Sequence, residues 1–175
     1  MHKQNRILKL SGFTIVELLI VIVVIAVLAA ISIVAYNGVQ ERARFVAMRS
    51  DLSSLNKAIQ LYYAKYGLYP VTPASGTGCS SGNWCGFDQA TSDNFIPGLV
   101  PEFISATPQL PSTNTSNDTY LYRSPTGTDY KLIRYYGVAM TASEQNSMLD
   151  LRAVCGGAPQ TDRWGYWSSD TSKCW

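Results

Sequence analysis

The chain has 175 residues, 46% of them hydrophobic, and a formal net charge of +2. This length fits one modest domain, and the near-neutral charge disfavours binding to nucleic acid. The single histidine, His2, lies close to the N-terminus, so histidine-based catalysis or metal binding is not expected in the rest of the chain. No phosphate-binding glycine loop or metal-ligand cluster occurs either, so we predict no cofactor and no enzymatic activity.

The chain begins with a basic segment, residues 1–12, which contains Lys3, Arg6 and Lys9 and no acidic residue. An apolar stretch of 23 residues follows, from Phe13 to Ala35. A helix needs about 20 such residues to cross a membrane. Basic residues before a membrane segment stay in the cytoplasm, so the rest of the chain is expected on the outer side.

Glu17 is the one charged residue in this apolar stretch. A carboxylate at such a position costs several kcal/mol, which neither a secretory signal peptide nor a plain single-pass anchor explains. If the chain were cut after Gly12, Phe13 would gain an α-ammonium group. That group on one copy would neutralise Glu17 on a neighbouring copy in a low-dielectric packing of helices.

The segment from Ser11 to Leu19 reads SGFTIVELL and resembles the processing motif of type IV pilins and type II secretion pseudopilins. The resemblance implies that a prepilin peptidase cuts between Gly12 and Phe13 and that the same enzyme N-methylates Phe13. It also implies that Glu17, together with Thr14, acts in assembly, where Glu17 pairs with the amine of Phe13 on a neighbouring subunit or on its own.

The same resemblance implies a single-pass protein of the bacterial cytoplasmic membrane that later joins an extracellular helical filament of identical subunits. Its expected partners are the prepilin peptidase and methyltransferase, the membrane, and a pilus assembly platform with its ATPase. Many pilins have a proline where this chain has Val34, and no proline lies between Phe13 and Tyr69. Whether the helix melts near Val34 in a fibre is therefore left open.

The helical pattern continues beyond the apolar stretch. Its apolar positions recur at steps of three and four, and Gly67 and Pro70 are expected to end the helix. We predict a cleaved leader at 1–12, a membrane or filament-core helix at 13–36, an amphipathic continuation at 37–66 and a globular domain at 67–175. The recurring positions are Met48, Leu52, Leu55, Ile59, Tyr62 and Tyr66, and we expect Tyr62, Tyr63 and Tyr66 to pack in the core.

The globular domain is expected to be a pilin-like α+β unit, with a small antiparallel sheet packed on the second half of the helix. Residues Tyr120–Ser124 and Tyr130–Tyr136, joined by a turn at 125–128, indicate a β-hairpin. Leu149–Cys155 and Gly165–Ser168 are candidates for a third and a fourth strand.

Four cysteines follow the apolar stretch, and an even number in an exported domain indicates disulfides. Of three possible connectivities we choose the local one, Cys79–Cys85 with Cys155–Cys174. Their spacing disfavours zinc. Five carboxylates do not have the spacing of a calcium loop, so no metal is predicted. They are Asp88, Asp93, Glu102, Asp118 and Asp129.

These observations favour a structural subunit of a type IV pilus-like filament. A type II secretion pseudopilin is the first alternative, because the N-terminal motif does not separate the two. A minor pilin that binds DNA or a surface ligand is the second. Arg123, Lys131 and Arg134 near the hairpin are a small hint of DNA binding, although we expect them to form a solvated sheet face.

Overall fold

The computed structural model describes residues 13–74, 79–80, 82–86, 95–108, 119–135, 140, 142–148 and 151–175. The predicted leader, including Gly12, lies outside these ranges, as do Asp88, Asp93 and Asp118. The chain divides between Ala43 and Arg44 into two compact units. The second of these, Arg44–Trp175, is called the C-terminal unit below.

The first helix, α1, spans Ile15–Tyr66 and continues without a break through Val34 and Gly38. Its part from Ile15 to Ile33 is long and apolar enough to cross a membrane. The helix ends where the sequence predicts, because Gly67 adopts a positive φ of 73° and donates its N–H to the carbonyl oxygen of Tyr63 at 2.8 Å. Glycine reaches this left-handed conformation without a steric penalty.

In the C-terminal unit, one face of α1 forms the centre of the core. Tyr62 continues this face and packs against it. The expectation that Tyr63 and Tyr66 also pack in the core is wrong, because these side chains are 42% and 49% exposed and lie beside other rings at the end of the helix. The buried side chains of this face are Phe45, Met48, Leu52, Leu55, Ala58 and Ile59.

The strands of the described residues are β1 (Cys79–Ser80), β2 (Trp84–Gly86), β3 (Thr119–Arg123), β4 (Lys131–Tyr135), β5 (Val154–Cys155), β6 (Ala158–Pro159) and β7 (Arg163–Trp167). A five-stranded antiparallel sheet of order β1-β2-β3-β4-β7 packs on this helix face. Strands β5 and β6 form a separate short hairpin. Two short helices complete the described elements, α2 (Ala142–Ser147) and α3 (Asp170–Lys173).

The α+β prediction is confirmed, and so is the hairpin, which corresponds to β3 and β4. The predicted strand at Gly165–Ser168 is the end of β7. The predicted strand at Leu149–Cys155 is wrong for the described residues 151–155, because of these only Val154 and Cys155 form a strand, and they pair with β6 outside the main sheet. Alternation of apolar residues in this stretch reflects burial of Leu151 and Ala153 without strand pairing.

The two faces of the sheet differ in what they contact. On the inner face, Tyr120 of β3 donates its hydroxyl hydrogen to Asp51 of α1 at 3.0 Å. Arg123, the last residue of β3, lies on the outer face, directly opposite Lys131 of β4. Gly165 allows β4 and β7 to approach closely, because an added Cβ would lie 2.0 Å from the carbonyl oxygen of Leu132.

The expectation of a solvated cationic sheet face is wrong for two of its three residues. Lys131 and Arg134 are both 0% exposed. Arg134 lies on the inner face over the ring of Tyr120, where its charge also acts on Asp51. Lys131 lies on the outer face and is covered by the C-terminal residues, since backbone oxygens of Lys173 and Trp175 accept its hydrogen bonds.

Candidate functional site

The start of α1 is held by a reciprocal pair of hydrogen bonds between Thr14 and Glu17. The hydroxyl oxygen of Thr14 accepts from the backbone N–H of Glu17 at 3.2 Å, and the Glu17 carboxylate accepts from the backbone N–H of Thr14 at 2.9 Å. This arrangement is a capping box. Each of the two backbone N–H groups lacks a partner within the helix and donates to the side chain of the other residue. It assigns Thr14 a physical role that the motif alone did not provide.

The cap uses one oxygen of the Glu17 carboxylate. Both the N–H and the hydroxyl of Thr14 donate to Oε2, at 2.9 and 2.7 Å. Among the described residues, Oε1 has no hydrogen-bond partner. The carboxylate therefore stabilises its own helix and still has an acceptor for a donor from outside the chain.

The side chains around this cap have no cover within the described part of the chain. Phe13 is 84% exposed and Ile15 is 85% exposed, and the large apolar residues up to Ile33 are exposed to a similar degree. Apolar surface of this extent is unfavourable in water, so it requires lipid or another protein surface around it. The predicted assembly residues thus lie together at the start of a segment that lacks internal partners.

The structure describes one of the two residues at the predicted cleavage site. Phe13 is described and precedes the helix, whereas Gly12 lies outside the described residues. A cut before Phe13 would create a new terminus directly next to the capping residue Thr14. Glu17 follows four residues after Phe13.

The predicted disulfides are both present, Cys79–Cys85 between β1 and β2 and Cys155–Cys174 between β5 and the residue after α3. The second one ties the C-terminal residues to the β5–β6 hairpin. Ser169 caps α3, accepting from the N–H of Ser172 at 3.2 Å. These contacts fix the segment that covers Lys131.

Among the described residues no group of three or more His, Cys, Asp or Glu side chains has a geometry suited to a metal ion. Of the five carboxylates considered for calcium, two are described. Glu102 pairs with Lys65 and accepts from the hydroxyl of Tyr66, and the ion pair lowers the pKa of the Glu102 carboxyl. Asp129 accepts from the hydroxyl of Ser168 at 3.0 Å.

The sequence reasoning missed how the outer sheet face is built. Lys131 donates hydrogen bonds from Nζ to the backbone oxygens of Lys173 and Trp175, at 2.6 and 2.9 Å. Burial lowers its pKa to about 8, and the positive charges of Arg163 and Arg123 add to this shift. A lysine in a short strand normally faces water, so no local signal in the sequence could have shown this burial.

Comparison with known proteins agrees with the N-terminal motif. Residues 9–33 match the family model described as the prokaryotic N-terminal methylation motif. The chain is 28% identical over 164 residues to the type II secretion system core protein G of Pectobacterium carotovorum subsp. carotovorum, which covers 91% of this chain and 85% of that protein. No solved structure matches the chain significantly.

A second relative matches a shorter region. The chain is 32% identical over 71 residues to the type IV major pilin protein PilE of Neisseria gonorrhoeae, which covers 41% of this chain and 42% of that protein. The chain thus matches the prokaryotic N-terminal methylation motif at residues 9–33 and is similar to a type II secretion system core protein G and to a type IV major pilin.

Proposed function

We propose that the chain is a structural subunit of a type IV pilus-like filament. A prepilin peptidase removes residues 1–12 at the cytoplasmic membrane and the new terminus at Phe13 is N-methylated. The apolar part of α1 holds the subunit in the membrane and then packs into the core of a fibre of identical subunits. An assembly platform with its ATPase drives this transfer, and the observation that carries the proposal is the Glu17 carboxylate in an uncovered apolar helix.

The proposed step in assembly is a pairing of charges. Cleavage gives Phe13 a positively charged amine, and Glu17 of a neighbouring subunit offers the Oε1 atom that its own cap leaves open. A charged group alone in an apolar environment is costly, and a hydrogen-bonded pair is much less so. Because the pair forms at one axial offset between helices, it also sets the position of each subunit in the fibre.

The first test is the mass of the purified protein. The expected product lacks residues 1–12 and carries one extra methyl group on Phe13. Gly12→Val should block the cut, because the peptidase site has to admit a residue without a side chain, and the uncut chain should then accumulate in the membrane. A wild-type protein that retains residues 1–12 would refute the proposal.

The second test separates the two roles of Glu17. Glu17→Gln keeps an oxygen that can accept from Thr14 but removes the charge, whereas Glu17→Leu removes both. We expect both variants to be processed and to remain in the membrane, and both to yield far fewer fibres. Fibre yield near the wild-type level for Glu17→Gln would show that the charge is not needed and that the cap is sufficient.

A type II secretion pseudopilin is the second candidate. It is favoured by the match to protein G, which extends over 91% of this chain, whereas the match to PilE covers 41%. A retraction ATPase encoded beside this gene would support the pilus, and an outer-membrane secretin with an exported enzyme would support the secretion system. The DNA-binding alternative loses support, because Lys131 and Arg134 are buried.

A further inference from the structure

The two disulfides of the chain differ in whether they belong to the core of the C-terminal unit. Cys85 is 0% exposed and is part of the hydrophobic core, and Cys79 packs against that core. Cys174 is exposed and Cys155 is half-buried, and neither is among the described residues that form the core. A thiolate reduces a disulfide only where it reaches a sulfur atom. Of the two bonds, Cys155–Cys174 is therefore the one that a reductant reaches in the folded protein.

The exposed disulfide holds a short segment, residues 169–175, which we call the C-terminal strap. The strap lies against the outer face of the sheet, because Lys131 donates hydrogen bonds from Nζ to the backbone oxygens of Lys173 and Trp175. The guanidinium carbon of Arg123 lies 4.8 Å from the centre of the Trp175 ring. The strap thus lies over two cations that are directly opposite each other on β3 and β4.

The strap has a defined start at Ser169. The preceding residue, Ser168, donates its N–H to the carbonyl oxygen of Tyr130 at 3.1 Å, and its hydroxyl oxygen accepts from the N–H of Tyr130 at 2.9 Å. Ser169 instead bonds within the strap, where it forms a capping box with Ser172. An opened strap would therefore pivot after Ser168 and keep its own turn.

The core of the C-terminal unit does not include the strap. None of the residues 169–175, all of which the structure describes, belongs to the hydrophobic core. Ser172 is the one buried residue among them, and it bonds to Ser169 and Ser168. Removal of the strap should therefore leave the packing of α1 against the sheet in place. Local opening of this kind costs less free energy than global unfolding.

We propose that Cys155–Cys174 is a redox-sensitive latch, which a dithiol opens in the folded protein so that the C-terminal strap leaves the outer face of the sheet. In the closed form Lys131 is 0% exposed, and Arg123 is half-buried with the ring of Trp175 over its guanidinium. In the open form these two cations are presented to solvent beside the ring of Trp84, which also lies over Arg123. The latch therefore changes the charge of one surface without unfolding the core.

The reaction is a thiol–disulfide exchange that transfers two electrons. One thiolate of the dithiol attacks Sγ of Cys174, the bond to Cys155 breaks, and Cys155 leaves as a thiolate. The second thiolate of the dithiol attacks the mixed disulfide and releases Cys174. The dithiol is oxidised to a disulfide, and the two protons of its thiols end on the two cysteines of the chain.

The first measurement is the order in which the two disulfides open. The purified full chain in detergent is treated with dithiothreitol under native conditions, and free thiols are trapped with iodoacetamide and located by peptide mass. We expect Cys155 and Cys174 to be alkylated at least about tenfold faster than Cys79 and Cys85, because the core disulfide requires a larger opening. Equal rates, or an earlier reaction of Cys79 and Cys85, would overturn the proposal.

The second measurement is the accessibility of Lys131 to acetic anhydride. In the closed form its Nζ is buried and hydrogen-bonded, so acetylation should be slow. After selective reduction we expect the rate to rise severalfold, while that of Lys65, whose side chain is 53% exposed, stays constant. Unchanged protection of Lys131 after reduction would show that the strap stays in place without its disulfide, and the latch would be refuted.

A variant without the disulfide provides the third measurement. The full chain with both Cys155→Ser and Cys174→Ser should acetylate Lys131 at the faster rate without dithiothreitol, and it should still unfold cooperatively on heating. Loss of cooperative unfolding would mean that this disulfide supports the whole C-terminal unit, which contradicts a latch. All three measurements use the purified chain, so they give the same answer whether or not it forms fibres, and failure of the filament function would leave the latch standing.

Discussion

Two leucines on the same helix show how differently the two parts of this molecule are built. Leu18 in the apolar segment Ile15–Ile33 is 59% exposed, whereas Leu52 in the C-terminal unit is 0% exposed. Apart from Glu17, the helix around Leu18 is apolar on every side, so no single face can be covered by the chain itself. Around Leu52 apolar positions recur on one face, which the sheet covers. The first region depends on other molecules, and the second is stable through its own contacts.

The largest expected effect confined to the C-terminal unit is that of Gly165→Ala. The added Cβ would lie 2.0 Å from the carbonyl oxygen of Leu132, so β4 and β7 cannot keep their pairing. We expect a loss above about 4 kcal/mol, enough to unfold a marginally stable domain. Protease digestion and thermal unfolding measure this loss, while cleavage before Phe13 should continue.

Gly86→Ala is the control for this variant, because its added Cβ would meet the flexible end of Leu121 at 3.0 Å instead of backbone atoms. It should unfold close to the wild type. Equal destabilisation by both alanine variants would mean that the close approach of β4 and β7 is not what requires glycine at position 165.

A second comparison uses two leucines on α1 within the C-terminal unit. Leu55 is 0% exposed and Leu61 is 57% exposed. Leu55→Ala should lower the free energy of unfolding by about 2–5 kcal/mol through a cavity in the core, and Leu61→Ala should change it by at most about 0.5 kcal/mol. Chemical denaturation of the detergent-solubilised chain gives both values. A fibre defect in Leu61→Ala without any loss of stability would show that this exposed leucine serves another subunit.

The free energy of unfolding of the C-terminal unit should also change with pH in the alkaline range, first rising and then falling. Burial lowers the pKa of Lys131 to about 8, below the ordinary 10.5, so the unfolded chain binds more protons between these values and stability rises with pH there. Burial raises the pKa of Tyr130 to about 12, above the ordinary 10, so stability falls as pH rises from 10 to 12. Tyr120 and Tyr122, whose pKa values burial also raises, act in the same direction.

Unfolding measured from pH 7 to 12 should therefore pass through a maximum near pH 10. Lys131→Met should flatten the rising limb, and Tyr130→Phe should weaken the falling limb. The contribution of Tyr130 is on the order of 3 kcal/mol. A profile that falls steadily from pH 8 in the wild type would contradict the assignment for Lys131.

The smallest effect is expected in the apolar segment. Thr14→Val removes the hydroxyl that caps α1 and keeps the shape of the side chain, and loss of a cap costs about 1 kcal/mol. Hydrogen exchange of the first turn in detergent micelles should increase, while the C-terminal unit should not change. Thr14→Ser keeps the hydroxyl and should preserve protection, so equal exchange in both variants would argue against the capping role.

The same contrast explains which features could be predicted from the sequence. Some features are encoded locally in the sequence. The apolar helix follows from an unbroken run of apolar residues, and Glu17 is recognised as the one charge in that run, four residues after Phe13. The β3–β4 hairpin follows from turn residues between two short runs of strand-forming residues. Arg134 is buried where its charge acts on Asp51, and Lys131 is buried under Lys173 and Trp175, and these contacting residues are all far away in the chain. Strands β1 and β2 are two and three residues long, too short to show a period.

The use of a single oxygen of Glu17 in the helix cap has a consequence for how a subunit would move from lipid into a fibre. The first turn of α1 does not have to unwind to release an acceptor, because Oε1 is already available while Oε2 holds Thr14. In the proposed mechanism, storage in the bilayer and recruitment into the fibre therefore use the same helix start. The subunit joins without local refolding at its most hydrophobic end.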